Sequence, residues 1–409
     1  MYRLAGGAGM KLDALPGNVH LTYCTNIHAG ESWPDICASL DAHVPAIKAA
    51  VAPHRPLGIG LRLSGQAAES ARRPDAIAAF RDQLDALGAY IFTINAFPFG
   101  PFHGVRVKED VYLPDWRSAV RVRFTADSAA VLAAVLPEGI DGSISTVPGA
   151  FKPNGRVDGA VDEMAANMMR AVADLASIER DTGKRISLAL EPEPCCFLET
   201  ADESIAFFEE VLLRPETLAG LAAAMEIDRA AAETLLRRHL GICYDVCHGA
   251  VEYEDPVAAL ARLRDAGISI AKIQLSAAIR LPSMTGDLVA AVMRFNDGVY
   301  LHQTIVRGAN GLTRYADLPE AVAAFRDGKA YGEWRIHCHV PVFLSGLGDI
   351  GSTHADLAAV LAAMRDRHFS SHLEVETYTW DVLPERLRTG SKAADIAREI
   401  SYCVRQLAG

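Results

Sequence analysis

Apolar residues recur along this chain in two alternating patterns. Short, nearly continuous apolar runs are separated by longer stretches in which apolar side chains return every three or four positions. The first pattern marks a buried strand and the second a helix with one buried face. Strands are predicted at 20–25, 58–63, 90–96, 142–147, 186–191, 241–244, 269–275 and 372–376. The helix after the first strand carries Trp33, Ile36, Cys37, Leu40, Val44 and Ile47 on one face, and others are predicted at 74–87, 119–136, 158–181, 202–213, 215–238, 256–266 and 355–367. Strand and helix in alternation predict βα units around a parallel sheet, and eight such strands predict a (β/α)8 TIM barrel. The segment 335–340 would be a ninth strand. Pairing it with 299–306 as a hairpin after strand seven restores eight and leaves an insertion at about 281–333, with a helix at 318–326. No linker rich in Pro, Gly or Ser divides the chain, so residues 1–409 read as one domain. The loop FPFGPFHG after strand three is longer than a connection requires and is expected to be functional.

Five of the apolar runs end in side chains of metal-ligand type. ISLALE ends in Glu191, LGICYD in Asp245 with His248 three residues on, and ISIAKIQ in Gln274; RIHCH contains His337 and His339, and HLEVE contains Glu374 and Glu376. Such an ending costs a buried strand free energy unless the group is paired or metal-bound. In a parallel barrel the carboxyl ends of all strands open on one mouth, so these endings can meet around one or more divalent cations. Each also has a plainer reading. Glu191 could be a solvated strand end stopped by Pro192, and Asp245 a helix cap with an incidental His248. Gln274 is a weak ligand that could simply hydrogen-bond at the strand end. His337 and His339, on one face of an extended segment, could be a hydrogen-bonded pair. Glu374 and Glu376 also share a face and would repel, so at least one is expected to face a metal. Mixed oxygen and imidazole donors favour Mn or Zn and are compatible with Mg, Co or Fe.

Composition narrows the classes of function. Half of the 409 residues are hydrophobic and 22% are charged, as in ordinary globular proteins. The net charge of −11, from 40 basic and 51 acidic residues, argues against a nucleic-acid partner. No apolar stretch approaches the roughly 20 residues of a membrane helix, and the amino terminus lacks the apolar core of an export signal. The eight cysteines lack both a disulfide framework and the C-x2-C spacing of structural zinc, so they read as reduced thiols of a cytoplasmic protein. The oligomeric state, a homo-oligomer included, is left open.

The motifs LEPEP, YDVCH, QLSAAIR and LEVETY resemble those of the xylose isomerase-like superfamily of TIM barrels, which includes sugar isomerases, sugar epimerases and endonuclease IV-type enzymes. That resemblance implies Glu191, Asp245 with His248, and Glu376 as ligands of a divalent metal. It sets Gln274 where epimerase-like members carry His, and Arg280 where a substrate-contacting Arg stands. His337 and His339 are similar to the D-x-H element of the endonuclease branch, with His in place of Asp. HLTYCTNIHAGESW, GIGLRLS, NAFPFGPFHG and LALEPEP together resemble the EboE family, named for metabolite traffic, along nearly the whole chain.

These readings converge on a metal-dependent isomerase or epimerase of a small polyhydroxylated, in some cases anionic, substrate: a sugar, sugar phosphate or cyclitol. Glu191, Glu376 and His248 are the candidate catalytic residues. Arg280, Lys152, Asn95, His103 and Glu199 are candidate substrate contacts, and His20, Tyr23, Asn26, His28 and Arg62 further polar groups near strand ends. Two alternatives stand beside this: metal-dependent hydrolysis of a small phosphoester, and a non-catalytic metabolite-binding protein. Two or more ions would favour hydrolysis, whereas one ion would support isomerisation.

Overall fold

Capping chemistry divides the chain where its periodicity changes. Ser32 and Asp35 form a capping box at the start of the helix Trp33–Val51, and Pro occupies the first turn of Pro74–Leu87, Pro215–Met225 and Pro256–Asp265. Gly88 and Gly183, in the left-handed conformation, close Pro74–Leu87 and Ala160–Thr182. The computed structural model describes residues 10–101, 106–296, 298–378, 380 and 388–409. His103, part of the FPFGPFHG loop and the first nine residues lie outside these.

The first seven strands are β1 (His20–Tyr23), β2 (Leu57–Arg62), β3 (Ala89–Asn95), β4 (Gly142–Thr146), β5 (Ile186–Leu190), β6 (Leu240–Asp245) and β7 (Ser269–Leu275). Six short strands follow: β8 (Ile279–Leu281), β9 (Thr304–Gly308), β10 (Gly311–Tyr315), β11 (Glu333–Ile336), β12 (Gly346–Leu347) and β13 (Ile350–Ser352), before β14 (His372–Val375). The large sheet runs β1-β14-β7-β6-β5-β4-β3-β2 with every pairing parallel. A parallel bridge from Cys24 to Gly60 joins its two edges, which makes the sheet an eight-stranded (β/α)8 barrel. Strands β1 to β6 and β14 are buried throughout, as a sheet covered on both faces requires.

The insertion is larger than the sequence pattern suggests. β9 pairs with β11 as expected, Val306 opposite Trp334, but its hairpin partner is β10. The second sheet, ordered β10-β9-β11-β8-β13-β12, begins at Ile279 and ends at Ser352. β8 and the β12–β13 hairpin were missed because they are two or three residues long, too short to show a period.

The barrel interior is unusually polar. Alternation along β7 and β14 sends Lys272 and Glu374 inward one layer below Gln274 and Glu376. Lys272 Nζ lies 2.6 Å from Glu374 Oε1, both side chains wholly buried. The Glu374 carboxylate fills the space beside Gly60, where a Cβ would overlap it. Gly60→Ala is therefore expected to destabilise the fold by about 1–3 kcal/mol. Gly220→Ala, inside a helix with open space beside it, should stabilise by up to about 1 kcal/mol. Denaturant midpoints of the two variants check both signs.

Candidate metal centre

At the carboxyl ends of the barrel strands two donor clusters share one residue. The first is made by Glu191, Asp245 and Glu376, each offering an oxygen within 4.8 Å of the others, all buried. Pro192 ends β5 and leaves Glu191 at the rim, while Asp245 is the last residue of β6. Asp245 Oδ1 caps the helix Val246–Val251 by accepting from the His248 amide at 3.1 Å, and also accepts from the Ser276 hydroxyl at 2.6 Å. Capping and ligation are thus not alternatives here, because Oδ2 stays clear of the cap. Glu191 Oε2, Asp245 Oδ2 and both amide atoms of Gln274 are buried without a hydrogen-bond partner. Gln274 stands in register with Asp245 on one side and Glu374 on the other. Orphaned oxygens at three neighbouring positions are what a site for a divalent cation would present.

Burial, and then the charge of Asp245, push the Glu191 carboxyl well above the usual carboxylate range. Burial, followed by the charge of Glu191, does the same to Glu376. Glu376 Oε1 is held by amides of Asn26 at 2.6 Å and Asn95 at 3.3 Å.

The second cluster is made of imidazoles. His248 Nε2 lies 3.1 Å from His337 Nε2, which lies 3.3 Å from His339 Nε2. The opposite ring nitrogens face oxygens: Nδ1 of His248 meets the Pro192 carbonyl at 2.9 Å, Nδ1 of His339 the Glu376 carbonyl at 2.8 Å, and Nδ1 of His337 the Gln303 side-chain oxygen at 2.7 Å. A carbonyl can only accept, so Nδ1 carries a proton on each ring. Burial lowers the His248 pKa to about 4 and takes His337 well below its ordinary value, which keeps these two rings neutral with Nε2 unprotonated. Their converging lone pairs repel unless something positive lies between them. Two Zn–N bonds of about 2.0–2.1 Å at a tetrahedral angle set nitrogens about 3.3 Å apart, close to both spacings. His248 and His337, both neutral and protonated on Nδ1, have no proton on Nε2 to share with each other. Asp245 Oδ2 lies 3.7 Å from His339 Nε2 and 3.9 Å from His248 Nε2, so it belongs to both clusters. The Cys247 thiol groups with His337 and His339, and Glu193 with His248 and His337.

The remaining expected site residues divide by position. Glu191, His248, His337, His339, Glu376 and Asn95 line one pocket of about 580 Å³, its open mouth included, with Asn26, Glu193 and an apolar wall containing Phe97, Tyr112, Tyr300 and Tyr378. Asp245 and Gln274 stand behind that lining. Arg280 is on β8, bidentate to Glu333 and outside the pocket. Lys152 and Glu199 are ion-paired with each other away from the pocket. Arg62 pairs with Glu31, and His20 lies at the opening of β1 against the Tyr90 hydroxyl. Of the two alternating glutamates, Glu376 joins the carboxylate cluster and Glu374 pairs with Lys272. Glu193, Gln303, Ser276, Cys247 and Lys272 were not anticipated. Glu193 carries a readable signal, two residues after Glu191 in EPEP; Gln303 has none, because the fold of the insertion brings it in.

No protein-family model matches this chain, and no curated protein sequence matches it. Solved structures similar to it include a xylose isomerase domain protein from Planctomyces limnophilus, 14% identical over 95% of this chain and 96% of that one, with a TM-score of 0.47. An L-ribulose 3-epimerase is 13% identical over 95% and 94%, with a TM-score of 0.46. The IOLI protein with a bound zinc atom is 12% identical over 95% and 97%, also with a TM-score of 0.46. Likeness at that level carries nothing about reaction or metal, and the chemistry of this site rests on its own geometry. Among the described residues no helix is long and apolar enough to cross a membrane. None of the eight cysteines is in a disulfide.

The acidic cluster also needs a counter-charge from below. Burial alone would lower the Lys272 ammonium, but Glu374 outweighs it and holds the side chain charged. Lys272→Met is expected to cost about 3–5 kcal/mol by leaving Glu374 alone in the core, and pairing it with Glu374→Met should return most of that loss. Guanidinium denaturation of the two variants measures it, and a single variant as stable as the parent would remove the pair from this role.

Proposed function

We propose that the chain is a metal-dependent isomerase or epimerase acting on a small polyhydroxylated molecule: a sugar, sugar phosphate or cyclitol. The observation carrying this reading is that Glu191 and Glu376, just past strands separated by β6 and β7, both present carboxyls to one pocket at the barrel mouth, with Asp245 and Gln274 behind them. Glu191, Asp245, Gln274 and Glu376 would hold one divalent ion, Mn or Zn by donor type, and His248, His337 and His339 with Asp245 a second. Such an ion, when bound, polarises neighbouring substrate oxygens and stabilises negative charge developing there. The two carboxyls then exchange the carbon-bound proton: one takes it as base, and the other returns one as acid. Asn26 and Asn95 hold Glu376 in place, and the aromatic wall packs against the substrate and keeps water out. The motifs resembling the EboE family support a substrate from a secondary-metabolite pathway.

A second reading, hydrolysis of a small phosphoester, is favoured by the imidazole cluster, since two ions sharing a carboxylate form a clamp for an attacking and a leaving oxygen. Because Asp245 serves both clusters, ion count alone no longer separates the two reactions. Their products do. Protein purified without chelator is expected to exchange carbon-bound hydrogen of a sugar or cyclitol with deuterium from solvent, followed by NMR. Release of inorganic phosphate from small phosphoesters without such exchange would favour hydrolysis, and neither activity would leave a binding protein. Glu191→Gln should lower turnover about 10²–10⁴-fold while the melting transition is kept; an undiminished rate would sink the assignment of Glu191.

A further inference from the structure

We infer that Gln303 is a positioning residue that holds His337 in the tautomer protonated on Nδ1, and that the insertion thereby makes the imidazole cluster a nitrogen-donor site for an ion of the zinc class. Gln303 immediately precedes β9 and is wholly buried. Its amide nitrogen lies 2.9 Å from Glu193 Oε1, 3.2 Å from the Pro194 carbonyl and 2.8 Å from the Tyr112 hydroxyl. Carboxylate and carbonyl oxygens only accept, so the atom facing them must be the NH2 group. The Tyr112 hydroxyl donates to the same Glu193 oxygen at 2.7 Å, which turns a lone pair toward Gln303. The amide therefore cannot flip, and the atom 2.7 Å from His337 Nδ1 must be the oxygen. His337 has to donate from Nδ1 and keeps Nε2 unprotonated toward His248 and His339. The backbone fixes the same register, the His337 amide donating to the Gln303 carbonyl at 2.8 Å.

This arrangement decides donor chemistry. Nε2 atoms of three imidazoles, with Asp245 Oδ2 beside those of His248 and His339, suit zinc over magnesium, which prefers oxygen. One imidazole turned to its other tautomer would point an N–H into the cluster and spoil it. The groups that prevent this come from three places: Tyr112 from the segment after β3, Glu193 from the loop after β5, and Gln303 from the insertion.

The inference rests on the metal-binding part of the proposed function, and two measurements separate their failures. In metal-stripped full-length protein, long-range proton–nitrogen NMR of labelled histidine is expected to show His337 protonated on Nδ1. Gln303→Met should allow the other tautomer, whereas Gln303→Glu, protonated on the oxygen facing Glu193 and accepting from Nδ1 with the other, should not. Titrated with zinc alone, Gln303→Met should bind one equivalent about 10–100-fold more weakly, leave the other equivalent unchanged, and be rescued by Gln303→Glu. His337 protonated on Nε2 in the parent protein, or unaltered zinc binding with an unaltered tautomer in Gln303→Met, would overturn the assignment of Gln303. A parent protein with the expected tautomer that binds a single zinc would leave Gln303 as the tautomer lock and overturn the zinc site.

Discussion

Unprotonated imidazole nitrogens and carboxylate oxygens drawn together out of water are the constraint on which this structure depends. Like groups at such distances repel, and burial removes the solvent that would screen them. The fold tolerates the arrangement because each group is held from behind. Carbonyls and an amide oxygen take the Nδ1 protons of the three histidines, two asparagines hold Glu376, and a hydroxyl with a backbone amide holds Asp245. These contacts fix orientation and turn the remaining donor atoms toward one another, the division of labour that outer partners perform where side chains hold a metal.

The same logic continues down the barrel. Lys272 and Glu374 form a buried pair one layer below the ligands, and Gly60 makes room for the carboxylate. An ammonium at that depth offsets part of the negative charge above it, so the acidic mouth and the polar interior belong to one electrostatic design. Above the mouth, the second sheet supplies Gln303 ahead of β9 and two histidines after β11, hence one whole side of the centre.

Much of this was legible in the chain. The alternation of period two and period three to four specifies a parallel barrel, and the endings of its apolar runs name Glu191, Asp245, His248 and Glu376, because a carboxylate or imidazole is anomalous there. Arg280 shows where the reading failed. It stands the expected distance after Gln274, yet β8 turns it into the second sheet and Glu333 claims its guanidinium. Lys152 and Glu199 were likewise chosen as polar loop groups, and they find each other.

What the sequence by itself determined is which strands form the barrel and which of their last residues are costly to bury, since both follow from local period and side-chain chemistry. The tertiary structure alone decided that His339 shares Asp245 with the carboxylates, that Lys272 answers Glu374, and that Gln303 sets the tautomer of His337. Those relations join residues from 34 to 102 positions apart, His337 with Gln303 at the near end and Lys272 with Glu374 at the far end. No local pattern encodes the closure of a barrel or the path of an insertion, so proximity of this kind exists only once the chain has folded.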